Sequence, residues 1–168
     1  MNYFSNVEKH FFSLQGIQDQ TTKIQYIILE NFPQLGLITS LRFLEWISEN
    51  PEGVISLPTG KTPEYFIRWT YHLLNNWDKK ELIDLRKNNG LNIDKKPDLS
   101  NLKLVQIDEF YPLNPNQHNS FYHYVREYYI NGFGLNPKNA LFINSDKIPL
   151  ANNQDRRKIF PDNKVDLS

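Results

Sequence analysis

The chain has 168 residues, and its 19 basic and 19 acidic side chains give a formal net charge of zero. With no excess of positive charge, no overall field attracts nucleic acid or an anionic membrane surface. The absence of cysteine excludes disulfides and thiolate metal sites and is typical of a reducing compartment. The amino terminus has no basic segment followed by a long apolar run. We therefore expect a cytoplasmic protein that does not use a membrane.

Residues 1–50 are predicted to form amino-terminal helices. Apolar side chains recur there at helical spacing, in two stretches that Pro33 separates. The first stretch contains Ile24, Ile27, Ile28 and Phe32, and the second contains Leu41, Leu44 and Ile47.

The pattern changes to short apolar runs after residue 50. Runs at 54–57, 102–107 and 141–143 predict buried strands, and amphipathic stretches at 66–77 and 121–129 predict helices between them. Asn119 or Ser120 can cap the second helix. The polar stretch 78–101 indicates a surface connection with a short helix inside it.

Strands that alternate with helices indicate an α/β fold with a mostly parallel sheet flanked by helices. Residues 51–145 then form the α/β core, and residues 146–168 form a polar tail without a clear period.

Residues 58–63, Pro-Thr-Gly-Lys-Thr-Pro, join the first strand to the helix after it. Backbone N–H groups at such a turn and the positive end of the helix dipole suit a phosphate. Gly60 allows close approach, Thr59 and Thr62 can donate hydrogen bonds, and Lys61 can add a charge. The alternative is a tight connection capped by threonine, without a ligand.

A Walker nucleotide-binding loop does not explain this segment. The pattern requires a glycine five residues before the one that precedes the lysine, and Ile55 stands there. Pro63 directly after the threonine is a second mismatch.

Asp108 and Glu109 follow the second predicted strand. Ligands collect beyond the carboxyl ends of parallel strands, and a carboxylate there can move a proton next to a carbonyl group. If the first two strands are neighbours, this carboxylate lies near the glycine loop. The alternative is a pair of solvated acids, or a carboxylate that caps the following turn.

Two segments together resemble the glucosamine-6-phosphate deaminase family. Residues 57–63, Leu-Pro-Thr-Gly-Lys-Thr-Pro, are similar to its phosphate loop, Leu-Pro-Thr-Gly-Gly-Thr-Pro. Residues 107–113 begin Ile-Asp-Glu-Phe and are similar to its Met-Asp-Glu-Tyr turn. Residues 119–122, Asn-Ser-Phe-Tyr, stand where the family has a Ser-Tyr pair that opens a helix. The resemblance covers about residues 54–143 and implies a Rossmann-like fold, which the family shares with the 6-phosphogluconolactonases.

The resemblance also implies functions for individual residues. Thr59, Gly60 and Thr62 would hold the phosphate of an amino-sugar phosphate, and Lys61, where the family has glycine, would add a contact or point into solvent. Asp108 would move the C2 proton during isomerisation and deamination to fructose 6-phosphate, with Glu109 beside it. The implied role is amino-sugar catabolism, with no metal or organic cofactor.

One family segment, Gly-x-Asp-Gly-His-x-Ala-Phe, has no counterpart in this sequence. It carries the histidine that assists ring opening in the family. We therefore expect an incomplete copy of the fold, inactive alone. The alternatives are a lactonase acting on a sugar phosphate, against which the Asp-Glu pair argues, and a sugar-phosphate-binding module without catalysis. A homo-oligomer is compatible with the sequence.

Overall fold

The structure, a computed structural model, describes residues 5–15, 26–155 and 158. The chain forms two units. The first comprises Met1–Pro51 and Pro63–Asp98, and the second comprises Glu52–Thr62 and Leu99–Ser168. Among the described residues, no helix combines the length and apolar character needed to cross a bilayer.

The first unit is helical. Its helices are α1 (Asn6–Leu14), α2 (Phe32–Glu49), α3 (Glu64–Asn75) and α4 (Lys80–Asn88). α2 packs closely against α3, because Gly36 brings the two backbones together and the rings of Phe43 and Phe66 meet edge to face at 5.3 Å. The buried Ser40 hydroxyl donates to the carbonyl oxygen of Phe66 over 2.9 Å, which adds a polar contact to this apolar interface.

α2 begins later than the sequence pattern predicts. Asn31 caps the helix, and its Oδ1 accepts a 2.9 Å hydrogen bond from the N–H of Gln34. Pro33 therefore lies in the first turn, where its missing N–H is tolerated, and does not separate two helices. The predicted helix is wrong at Ile27 and Ile28, which lie in irregular chain, and Ile24 lies outside the described residues.

The stretch 78–101 is more than the surface connection predicted. Its short helix is present as α4, but Leu82 and Leu91 are buried in the core. The buried Arg86 guanidinium stacks 3.7 Å from the ring centroid of Trp77 and donates to the Trp77 carbonyl oxygen over 2.7 Å. The sequence pattern alone missed these contacts, since the charged residues between the apolar ones hide the buried positions.

The second unit contains the sheet. Its strands are β1 (Val54–Ile55), β2 (Lys103–Val105) and β3 (Ala140–Leu141), in the order β1-β2-β3 and all parallel. The expected α/β fold with a parallel sheet is confirmed, although each strand is shorter than predicted. Pairing continues past β2, because the N–H of Gln106 donates to the carbonyl oxygen of Leu141 over 2.9 Å.

One face of the sheet is buried and the other is exposed. Leu57 and Leu104 point to the buried face, at 8% and 3% exposed. Val54, which pairs with Lys103, and Leu141, which pairs with Val105, point to the other face. There Val54 is 61% exposed and Leu141 is 67% exposed.

The helix that follows the Asp108-Glu109 turn changes from an α-helix to a π-helix along its length. It begins as α5 (Phe121–Tyr124) and widens into a π-helix (Val125–Gly132). Ser120 caps α5 as predicted, and its hydroxyl accepts from the N–H of His123 over 3.3 Å. Single 3₁₀ turns follow at Pro137–Asn139, Ser145–Lys147 and Ala151–Asn153.

Candidate active site

The glycine loop, residues 58–62, follows β1 and is fixed at its start by the buried side chain of Leu57. Gly60 has a φ of +84°, a left-handed conformation that other residues adopt only with strain. A Cβ atom built on Gly60 would meet no heavy atom within 4 Å, so this side of the loop is open. Lys61 and Thr62 are exposed, and Thr59 is half-buried.

Two tyrosines of the second unit hold the loop through its carbonyl oxygens. The Tyr124 hydroxyl donates to the carbonyl oxygen of Gly60 over 2.9 Å, and the Tyr129 hydroxyl donates to that of Pro58. Tyr129 is fully buried. Burial, with a smaller contribution from neighbouring Tyr124, raises the pKa of Tyr129 far above its usual value, so this hydroxyl keeps its proton and remains a donor.

Asp108 lies just beyond the carboxyl end of β2, and its side chain is exposed. The side chain of buried Gln106 fixes this segment through two hydrogen bonds. Its Nε2 donates to the carbonyl oxygen of Asp108 over 2.8 Å, and its Oε1 accepts from the N–H of Ile143 over 3.1 Å. Gln106 thus joins the ends of β2 and β3 where the backbone ladder stops.

Glu109 has a different environment from Asp108. Both of its carboxylate oxygens accept two hydrogen bonds each. Oε1 accepts from the N–H groups of Phe110 (2.9 Å) and Phe121 (3.0 Å), and Oε2 accepts from the N–H of Tyr122 and the hydroxyl of Ser120 (both 2.7 Å). Glu109 therefore ties the turn after β2 to the first turn of α5.

The parallel order of the sheet brings the two predicted site segments to one edge. β1 and β2 are neighbours, so residues 58–62 and Asp108 both follow the carboxyl ends of adjacent strands. The condition that the sequence left open, whether these strands are adjacent, is met. Of the two predicted acids, Asp108 presents an exposed carboxylate and Glu109 uses its oxygens on backbone and hydroxyl donors.

A cleft of about 480 Å³ opens next to the end of β3. Tyr122, Phe142 and Lys147 are among the residues that line it, and none of the predicted site residues does. Within the described residues, no cluster of three or more histidine or acidic side chains could hold a metal ion.

Tyr124 and Tyr129 lie in the amphipathic stretch 121–129, from which a helix but no contact with the loop was predicted. The available signal was their spacing of five residues, where an α-helical stripe uses three or four. Five-residue spacing fits one face of a π-helix, which the structure shows here.

Comparison with solved structures identifies the fold. A monomeric glucosamine-6-phosphate deaminase, described as a missing link of the NagB superfamily, matches with a TM-score of 0.53 and 21% sequence identity. The match covers 70% of this chain and 42% of that chain. The chain therefore shares the α/β fold of this structure over the matched residues.

Sequence comparison finds similar proteins that match most of this chain. The glucosamine-6-phosphate deaminases of Clostridium beijerinckii and Clostridium tetani are 26% and 25% identical over 143 residues, which is 85% of this chain and 50% of each relative. That of Clostridium botulinum strain Loch Maree is 25% identical over 146 residues, 86% of this chain and 52% of the relative. No protein-family model matches. The chain is similar in sequence to these glucosamine-6-phosphate deaminases and spans about half their length.

Proposed function

We propose that the chain carries the phosphate loop and the proton-transfer carboxylate of a glucosamine-6-phosphate deaminase acting in cytoplasmic amino-sugar catabolism. The observation that carries the proposal is the adjacency of β1 and β2, which sets the glycine loop and Asp108 at one edge of the sheet. The relatives support the same activity, since the proteins matched over 85% of this chain are deaminases of this substrate.

The phosphate is assigned to residues 59–62. The open side of Gly60 lets an anion approach the backbone, and a carboxylate or phosphate accepts charge-assisted hydrogen bonds from N–H and hydroxyl groups. Thr59 and Thr62 supply hydroxyls on either side of Gly60, and exposed Lys61 supplies a positive charge. The ligand is the phosphate of glucosamine 6-phosphate.

The proton transfer is assigned to Asp108. Its exposed carboxylate can take the C2 proton of the open-chain sugar and return it at C1, after which water replaces the nitrogen and ammonia leaves. Glu109 is a poor candidate for this step, because four donors already bind its oxygens. Its task is to hold the turn that presents Asp108.

The test follows exchange of the C2 proton of glucosamine 6-phosphate with deuterated solvent by NMR. Because the open-chain sugar also forms in water without a catalyst, the unaltered protein is expected to exchange the C2 proton even though it is expected to be inactive as a deaminase alone. Asp108→Asn should lose this exchange, with phosphate affinity nearly unchanged. Asp84→Asn, which removes an exposed acid of α4, is the matched control and should behave as the unaltered protein. Exchange retained in Asp108→Asn would assign the proton transfer to another group.

A further inference from the structure

Tyr124 and Tyr129 reach two carbonyl oxygens of the glycine loop that lie two residues apart. Tyr124 bonds the carbonyl oxygen of Gly60 and Tyr129 bonds that of Pro58. The two rings also meet edge to face, with centroids 6.0 Å apart. The contacts join parts of the chain that are 64 and 71 residues apart, so they are tertiary and not local.

The widened helix accounts for the shared direction of the two hydroxyls. In an α-helix, five residues rotate a side chain about 140° away from the first. In a π-helix the turn closes between residues i and i+5, so side chains at this spacing lie close to one face. Tyr124 directly precedes the π-helix (Val125–Gly132) and Tyr129 lies within it, so the widening between them lets both tyrosines face the same short loop.

Because a peptide group is planar, the direction of each of these carbonyl groups also determines the direction of the N–H group in the same peptide. In a trans peptide the C=O of one residue and the N–H of the next point in opposite directions. The carbonyl of Pro58 belongs to the peptide that carries the Thr59 N–H, and the carbonyl of Gly60 belongs to the one that carries the Lys61 N–H. Among the described residues, the cis peptide is at Tyr111-Pro112, so both loop peptides are trans.

We propose that Tyr124 and Tyr129 are positioning residues, which aim the Thr59 and Lys61 N–H groups away from the helix and toward the phosphate. The inference rests on the proposed function, since it concerns how the same loop binds its anion. It also gives Lys61 a role through its backbone N–H, which every residue type except proline could fill at that position. The hydroxyls bind no substrate themselves and act through the orientation of the loop.

The experiment uses the full chain and the variants Tyr124→Phe, Tyr129→Phe and the double variant. Each change keeps the ring and removes one hydroxyl. Calorimetric titration with inorganic phosphate and with glucosamine 6-phosphate should give dissociation constants raised about two- to tenfold by each single change. Tyr128→Phe is the control, because this tyrosine is 44% exposed on the same helix and has no hydrogen bond to the loop among the described contacts.

A second readout separates positioning from general stability. The amide ¹⁵N–¹H resonances of Thr59 and Lys61, recorded without ligand, should shift in Tyr124→Phe and in Tyr129→Phe. The amide protons of these two residues should also exchange faster with solvent in both variants. Both properties should stay unchanged in Tyr128→Phe. A protein that is only destabilised would instead show faster exchange throughout the second unit. Tyr124 is only half-buried, so its variant keeps the test valid if Tyr129→Phe folds poorly.

The outcomes are distinct. Unchanged affinity together with unchanged Thr59 and Lys61 amides in Tyr124→Phe overturns the positioning role. If the unaltered chain binds neither phosphate nor the sugar phosphate, the proposed function fails, and the amide resonances alone then decide whether the tyrosines orient the loop. Weaker binding with local amide changes establishes both.

Discussion

The Ser120 hydroxyl donates a 2.7 Å hydrogen bond to Oε2 of Glu109, eleven residues earlier in the chain. Ser120 is also the cap of α5, so one short side chain connects the helix start to the turn that follows β2. Glu109 completes the connection by accepting from the N–H groups of the first helical residues. The adjacent acids at the end of β2 therefore differ in task, since one is structural and the other is exposed.

Glu109→Gln should lower the free energy of unfolding by about 2 to 3 kcal/mol, because hydrogen bonds to a charged acceptor are stronger than those to a neutral one. The NH₂ group of the glutamine would also face N–H or O–H donors that bind a carboxylate oxygen in the unaltered protein. Urea denaturation followed by circular dichroism measures the change.

Asp108→Asn is the matched control for that measurement. Its side chain is exposed and lies next to Glu109 in sequence, so the same loss of one carboxylate should change stability by less than about 0.5 kcal/mol. Equal losses of stability in the two variants would contradict the structural role given to Glu109.

Gly60→Val should weaken phosphate binding and cost about 1 to 3 kcal/mol of stability, because its φ of +84° is strained for a β-branched residue. Gly60→Asn should cost less, since asparagine tolerates the left-handed region. The measurements are thermal unfolding and calorimetric titration with phosphate.

Gly134 provides the control for Gly60. Its φ is +79° and a Cβ there would also meet no atom within 4 Å, so Gly134→Val should cause a similar loss of stability. It lies outside the loop and should leave phosphate affinity unchanged. A parallel loss of affinity in both glycine variants would show that strain in general, and not the loop, determines binding.

The sequence predicted the parts of the site that depend on local pattern. A glycine between a buried strand and a helix, and acids at a strand end, are both visible in order along the chain. The adjacency of β1 and β2 was not predictable from either segment, because roughly fifty residues separate the strands and pairing depends on tertiary contacts. From the sequence alone, the adjacency of the two strands was only a condition for the predicted site.

Other features escaped prediction because competing interactions decide them. Asn31 sets the start of α2 against the apolar spacing that includes Ile28, since a side-chain cap fixes where helical bonds begin. Arg86 is buried although charged, since the face of Trp77 and a carbonyl oxygen replace its water. The π-helix leaves no residue-type signal, and its spacing becomes meaningful only once the loop contacts are known.

Tyr129 should make stability fall in alkaline solution. Burial raises its pKa in the folded chain above the ordinary value near 10, so above about pH 10 the unfolded chain loses this proton and the folded chain keeps it. The contribution of Tyr129 to the free energy of unfolding is fully present below about pH 10. Above that pH it decreases by up to about 1.4 kcal/mol per pH unit. Urea denaturation at pH 9 to 11 measures this, and Tyr129→Phe should show a smaller decline than Tyr128→Phe.

Gly36→Ala should destabilise the first unit. A Cβ at this position would lie 2.4 Å from Cβ and 2.5 Å from the carbonyl carbon of Tyr65, so the backbone of α3 would have to move. Overpacking of this kind costs about 1 to 3 kcal/mol, which exceeds the gain of about 1 kcal/mol in helix propensity. Calorimetry should show a lower melting temperature, whereas Glu49→Ala, at an exposed position of α2, should change it little.

The exposed face of the sheet should bind hydrophobic dye and promote self-association. Val54 and Leu141 are more than half exposed on the same face of the sheet, on β1 and β3, and exposed apolar side chains attract apolar ligands and other chains. The double variant Val54→Thr with Leu141→Thr removes apolar surface, so dye fluorescence and the associated fraction in sedimentation should fall. Its stability should change by less than about 0.5 kcal/mol, because threonine is suited to strands. Leu104→Thr tests the opposite face, where the side chain is 3% exposed, and should instead lower stability by about 2 kcal/mol or more. Dye binding that persists in the double variant would place the apolar surface elsewhere on the molecule.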